Sequence, residues 1–177
     1  MVNIYEILRG DKDENGDYQK QPVIVQGITG KYGSEHTKLM MDYGTNIAAG
    51  VTPGKGGQKF ENTVPIYNTV KEAIDASGAQ IAIMFVPAKF FLDAAKEALD
   101  AGIKLLVAIP EHVPIRDAMQ TIELVKQKNA IMIGPNTPGV IIPDLIKLES
   151  CLQVHSLQER LLFYLKVVHC CMRFQIT

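Results

Sequence analysis

Four short apolar runs recur along the middle of the chain: PVIVQ (22–26), QIAIMFV (80–86), IKLLVAI (103–109) and NAIMIG (129–134). PVIVQ, short and β-branched, reads as a strand buried on both faces, and the other three read as strands. NIAAGV (46–51) supplies another strand, and TVPIYN (63–68) a further one, set near a sheet edge by Pro65. Helical spacing fills the intervals. Ser34 can cap a helix running to about Tyr43, and Thr69 opens one through about Ala76. Ala88–Ala101 reads as a helix stopped by Gly102, and Ile115–Lys128 as the last. Strand and helix alternating with short connections predict an α/β fold, a Rossmann-like, doubly wound, mostly parallel sheet with helices on both faces.

The totals agree with one such domain. The 177 residues are 47% hydrophobic and 21% charged, with a formal charge of −1. A chain of that size buries roughly 70% of its unfolded surface. The near-neutral balance provides no global field for nucleic acid or an anionic membrane. No apolar run approaches a membrane span and the N-terminus lacks a signal core, so a cytoplasmic location is expected. The three cysteines, Cys151, Cys170 and Cys171, fall in the last 27 residues; with His155 and His169 they match no usual zinc spacing. No metal site is expected.

In a doubly wound sheet, ligands bind at the carboxyl ends of the strands, near the point where strand order reverses. The loops that matter are then 27–33, 52–62, 87–89, 110–114 and 135–143. Gly27, Gly30 and Gly33 form GxxGxxG between a strand and a helix, where backbone N–H groups and the helix dipole can hold phosphate. A fold selective for NAD keeps an acid at the end of its second strand, for the ribose 2′-hydroxyl. Here VTPGKGG (51–57) offers Lys55 instead. A lysine there suits a phosphorylated ribose, either the 3′-phosphate of coenzyme A or the 2′-phosphate of NADP. Val86-Pro87-Ala88 and Ile109-Pro110-Glu111 end the next strands and leave room for a flat base or a pantetheine arm. Gly134–Gly139 reads as a rigid turn. His36 reads as helix packing or surface, since neither it nor His112 has a neighbouring acid or nucleophile in a catalytic pattern.

QGITGKYGSEHT, YGTNIAAGVTPGKGG, VPIYNTVKEA, MFVPAKF, EALDAGIKLLVAIPEHVP and IGPNTPGVI together resemble the α subunit of succinyl-CoA synthetase, or succinate–CoA ligase. The likeness runs from about Pro22 to Pro143. It implies the N-terminal coenzyme A-binding domain of that family, with a β subunit as partner. By position, the resemblance sets Thr29, Gly30, Lys31 and Tyr32 along the CoA phosphates. It sets Lys55 at the CoA phosphate or ribose, and Ile109, Pro110 and Glu111 along the pantetheine. Many members have threonine where this chain has Pro110, which removes one backbone N–H donor. The family's reaction joins succinate and CoA while cleaving a nucleoside triphosphate, through a phosphohistidine in a second domain of the α subunit. No residue of this chain matches that histidine, and no catalytic residue is assigned.

After Leu148 the composition changes abruptly. Residues 140–177 contain no glycine, although the preceding residues hold all 14. Leu148–Gln153 can be spelled TTG GAA TCA TGC CTG CAA; one base inserted before GAA gives GGA ATC ATG CCT, or Gly-Ile-Met-Pro. Continued with permitted codons through Phe174, the shifted frame gives GIMPASSFTPGKIALLSQGRALLYEI, which resembles how the family continues. A one-base deletion near codon 149 is therefore expected. The domain reading is a polar extension over 1–21, a CoA-binding domain over 22–143 and an aberrant tail over 144–177. Two other readings stand beside a truncated ligase subunit: a stand-alone CoA-binding regulatory module, and an NADP-binding dehydrogenase fragment.

Overall fold

The computed structural model describes residues 4–10, 14, 16, 18–142 and 145–149. In chain order the elements are α1 (Ile4–Arg9), β1 (Val23–Gln26), α2 (Lys31–Asp42), β2 (Ile47–Val51), β3 (Lys59–Phe60), β4 (Val64–Tyr67), α3 (Val70–Ser77) and β5 (Ile81–Met84). A 3₁₀ turn (Ala88–Phe90) then leads into α4 (Phe91–Ala101), β6 (Leu105–Ala108), α5 (Ile115–Gln127), β7 (Ile131–Ile133), β8 (Gly139–Ile142) and β9 (Ile146–Glu149). Seven strands form one sheet in the order β3-β4-β2-β1-β5-β6-β7, parallel except for β3, which runs antiparallel to β4. The doubly wound sheet expected from the alternation is therefore the one found.

β1, β5 and β6 are buried along their whole length, as their unbroken apolar runs require. Alternate residues enter two separate cores. Val23, Val25, Ile81 and Ile83 pack with Met40 of α2, Leu8 of α1, and Ile146 and Leu148 of β9. Ile24, Ala82 and Met84 pack with Val70 and Ala73 of α3 and with Phe91, Ala95 and Ala98 of α4. Small residues on α3 and α4 let those helices lie close to the sheet.

Three local details differ from the sequence reading, and one agrees with it. α2 starts a turn earlier, with Gly30 and not Ser34 at its N-cap. β4 lies near the sheet edge as Pro65 predicts, one strand in; its outer neighbour is the two-residue β3, whose Lys59 pairs with Pro65. The segment before position 22 contains α1, and Leu8 is buried in the first core. A β8–β9 hairpin straddles position 143 and is held from β2's approach: the Thr45 hydroxyl donates to the Lys147 carbonyl (2.9 Å) and accepts from the Lys147 N–H (3.0 Å). The readings placed on 150–177, with Cys151, Cys170 and Cys171, lie outside the described residues.

Candidate functional site

β1 and β5 are neighbours in the sheet although β2, β3 and β4 intervene in the chain, so the winding reverses between them. The loops that follow them open at one edge of the sheet. Gly27, directly after β1, takes φ +81. A Cβ on Gly33 would run into the Gly27 carbonyl oxygen, so glycine at 33 is what allows α2 to begin this close to β1. Ser34 then lies inside the helix, its hydroxyl donating to the Lys31 carbonyl (2.9 Å). No side chain caps α2. By contrast Thr69 caps α3, accepting from the Glu72 N–H at 3.2 Å. The first turn of α2 thus presents backbone N–H groups at the switch point, with Lys31 and Tyr32 exposed beside them.

The second loop is joined to the first through hydroxyls. Thr29 donates to Thr52 (3.3 Å), and Thr52 donates to the Val51 carbonyl (2.9 Å). Within VTPGKGG, the Lys55 N–H donates to the Thr52 carbonyl (3.1 Å), and the Gly57 N–H to the Ile66 carbonyl (2.9 Å). Asn68 Oδ1 accepts from the N–H groups of both Gly54 (2.9 Å) and Gly56 (3.0 Å). Lys55 is exposed between those two anchored glycines. Among the described residues no carboxylate forms an ion pair with it.

On the other side of β1, Phe85 follows β5 and stacks with His36 of α2, their rings 5.7 Å apart and 8° from parallel. Tyr32 meets both edge-on, at 4.2 Å from His36 and 5.9 Å from Phe85. Burial pushes the His36 pKa down, against the Glu35 carboxylate, which raises it; Lys147 lowers it further. Nδ1 of His36 is buried without a partner. This fits packing better than proton transfer. Beneath the switch point the Gln26 amide donates to the Ala94 carbonyl (3.0 Å), while its Oε1 is buried and unpartnered.

The third predicted stretch is further along the sheet. Ile109 and Pro110 are buried, Ile109 within the first core, so only their backbone and the exposed Glu111 can face a ligand. The Pro110 carbonyl accepts from the Asn136 N–H (3.0 Å), which ties this loop to the Gly134–Gly139 turn. From β2 to β6 are three strand spacings, about 14 Å, so one ligand touching Lys55 and Glu111 must be extended. The structure thus places Thr29, Gly30, Lys31 and Tyr32 after β1 and Lys55 after the neighbouring β2, the two loops joined through Thr29 and Thr52, and sets Ile109, Pro110 and Glu111 after β6 along the same sheet edge.

The family model described as CoA binding domain matches residues 18–112, more than half of the chain. The chain belongs to this family. Among curated relatives of this CoA-binding domain, the α subunit of ADP-forming succinate–CoA ligase from Aquifex aeolicus is 53% identical over 127 residues. That match covers 71% of this chain and 41% of the relative. The corresponding subunit from Methanothermobacter thermautotrophicus is 50% identical over 125 residues, covering 71% and 42%. The chain therefore spans about two fifths of the length of these relatives. Two solved structures share the fold. One is ATP citrate lyase from Methanothrix soehngenii in complex with citrate and coenzyme A, with TM-score 0.64 and 23% identity over 73% of this chain and 23% of that one. The other is a dinucleotide-forming acetyl-coenzyme A synthetase from Ca. Korarchaeum cryptofilum, with TM-score 0.69 and 16% identity over 95% and 37%. Among the described residues, no helix is long and apolar enough to cross a membrane.

Asn68, Thr52 and Phe85 were not singled out from the sequence. Asn68-Thr69 with Glu72 carries a legible capping signature, but nothing in it says that the asparagine turns back onto the lysine loop.

Proposed function

We propose that this chain is the coenzyme A-binding part of a succinate–CoA ligase α subunit. The observation that carries the reading is the uncapped start of α2 at the switch point, flanked by Lys31 and by Lys55, with which no carboxylate among the described residues forms an ion pair. The diphosphate of CoA sits on the N–H groups of the first turn of α2, beside Thr29, Gly30, Lys31 and Tyr32. Lys55 takes the 3′-phosphate, and the pantetheine runs toward Ile109, Pro110 and Glu111. The glycines fit that role, since they remove the side chains that would stand between backbone and phosphate. CoA supplies the thiol that is acylated; the residues of this chain bind and orient it.

The ligase reaction joins succinate and CoA, with cleavage of a nucleoside triphosphate to diphosphate and phosphate. In this reading it also needs the phosphohistidine domain and a β subunit, and the working location is the cytoplasm. The CoA-binding segment is 22–143, with Leu8 of α1 and Ile146 and Leu148 of β9 packed into the same core, and the residues from about 149 onward are read out of frame. The high identity to ligase α subunits supports this reading over an NADP-binding dehydrogenase fragment.

Thermal shift with CoA against NADPH tests it. At 100 times its dissociation constant, CoA is expected to stabilise the fold by about 2.7 kcal/mol. Stabilisation by NADPH and not by CoA would reject the proposal.

A further inference from the structure

We propose that Asn68 is the positioning residue that makes Lys55 selective for a phosphorylated ribose; this rests on the reading of Lys55 as the 3′-phosphate contact. Lys55 is a long, exposed side chain on a loop containing three glycines, an arrangement with a large entropic cost for fixing one charge. The loop is nevertheless held at every second residue around it. Asn68 Oδ1 accepts from Gly54 at 2.9 Å and Gly56 at 3.0 Å, immediately before and after the lysine, and the Lys55 N–H is taken by Thr52 at 3.1 Å.

Asn68 is itself fixed from the opposite direction. Its N–H donates to a Glu72 carboxylate oxygen (3.1 Å), and Glu72 stands in the first turn of α3, whose start Thr69 caps. Position 56 completes the fit: a Cβ there would lie 2.8 Å from Cγ of Asn68, so only glycine lets the loop settle on the amide. A rigid helix end is thereby connected through one side-chain oxygen to the backbone on both sides of the lysine. Selectivity arises because the backbone that carries Lys55 is held in one place, so its ammonium reaches a phosphate there with less chain left to order, whereas an unsubstituted ribose hydroxyl gains little from it.

The test compares CoA with dephospho-CoA, which lacks only the 3′-phosphate, by calorimetric titration of the full chain and its variants. The wild type is expected to favour CoA by about tenfold or more, the scale of a charge-assisted hydrogen bond. Lys55→Ala removes that preference and leaves dephospho-CoA binding nearly unchanged. Asn68→Ala lowers the preference about threefold or more, again through CoA alone, and adds nothing in the Lys55→Ala background. Gly56→Ala, which attacks the same contact from the loop side, reproduces the Asn68 effect and serves where Asn68→Ala folds poorly.

A purely structural role would weaken both ligands equally and leave their ratio at the wild-type value; that result overturns the inference. So does an Asn68→Ala effect that persists without Lys55. Failure of the wild type to bind either ligand overturns instead the CoA reading on which the inference rests.

Discussion

His36 shows what burial does to a single titratable residue here. Its pKa lies below the ordinary value of 6.5, chiefly because the ring is withdrawn from water against Phe85 and Tyr32. A lowered folded-state pKa means that the unfolded chain binds the proton more readily. The stability contributed by the neutral ring is therefore complete above about pH 6.5 and declines as the pH falls toward the folded-state value. Thermal melts should show a falling midpoint on acidification through that window, and His36→Phe, which keeps an aromatic ring beside Phe85, should flatten the dependence. At this scale the sequence was only partly legible. Lys55 and the three glycines of the first loop were visible because spacing after a strand has a physical meaning. Asn68 was hidden, since its partners are separated from it by a loop whose path no local pattern encodes. The start of α2 was misread by one turn. Ser34 is a good cap by chemistry, but close packing of Gly33 on Gly27 decides where the helix begins.

At the scale of elements, the strands of the parallel sheet were legible because burial on both faces forces unbroken apolar runs. α4 ended at Gly102 as that glycine predicts, and α3 closes the same way at Gly78, each glycine in the left-handed region. The β8–β9 hairpin was missed. Its residues follow a Pro- and Gly-rich turn and alternate less clearly than the sheet strands, and its place is set by a contact 102 residues distant. Thr45 is 5% exposed, and its hydroxyl serves both the N–H and the carbonyl of Lys147. Thr45→Val keeps the shape and deletes both bonds, leaving a buried N–H without an acceptor. The expected cost is about 1–3 kcal/mol in chemical denaturation, and a cost near zero would mean that the hairpin is not anchored there.

For the whole molecule, one face of the sheet is unequally finished along its length. α3 and α4 cover it with small residues, whereas α5, which packs against α4 on the same face, carries Ile115, Met119 and Ile122 outward, 79%, 65% and 45% exposed, beside the half-buried edge strand β7. Spacing of four and then three residues places these three on one side of the helix. Such a surface favours self-association. Sedimentation at increasing concentration is expected to show the chain associating, and Met119→Lys with Ile122→Glu to return it toward a monomer. A clean monomer without those changes would count against the expectation. The fold class was legible at this scale because topology follows from the alternation of elements. The exposed stripe was not, since periodicity marks an apolar face without saying what it meets.

The hydrogen bonds that hold the Lys55 loop have a kinetic meaning as well. Among the described residues, the loop is anchored on Thr52, Ile66, Tyr67 and Asn68 of its own chain. In the proposed reading, an incoming nucleotide meets a loop that these bonds already hold. Two ligands that differ by one phosphate would then meet the protein at similar rates, apart from the pull of their charges, and be told apart by how long each one stays.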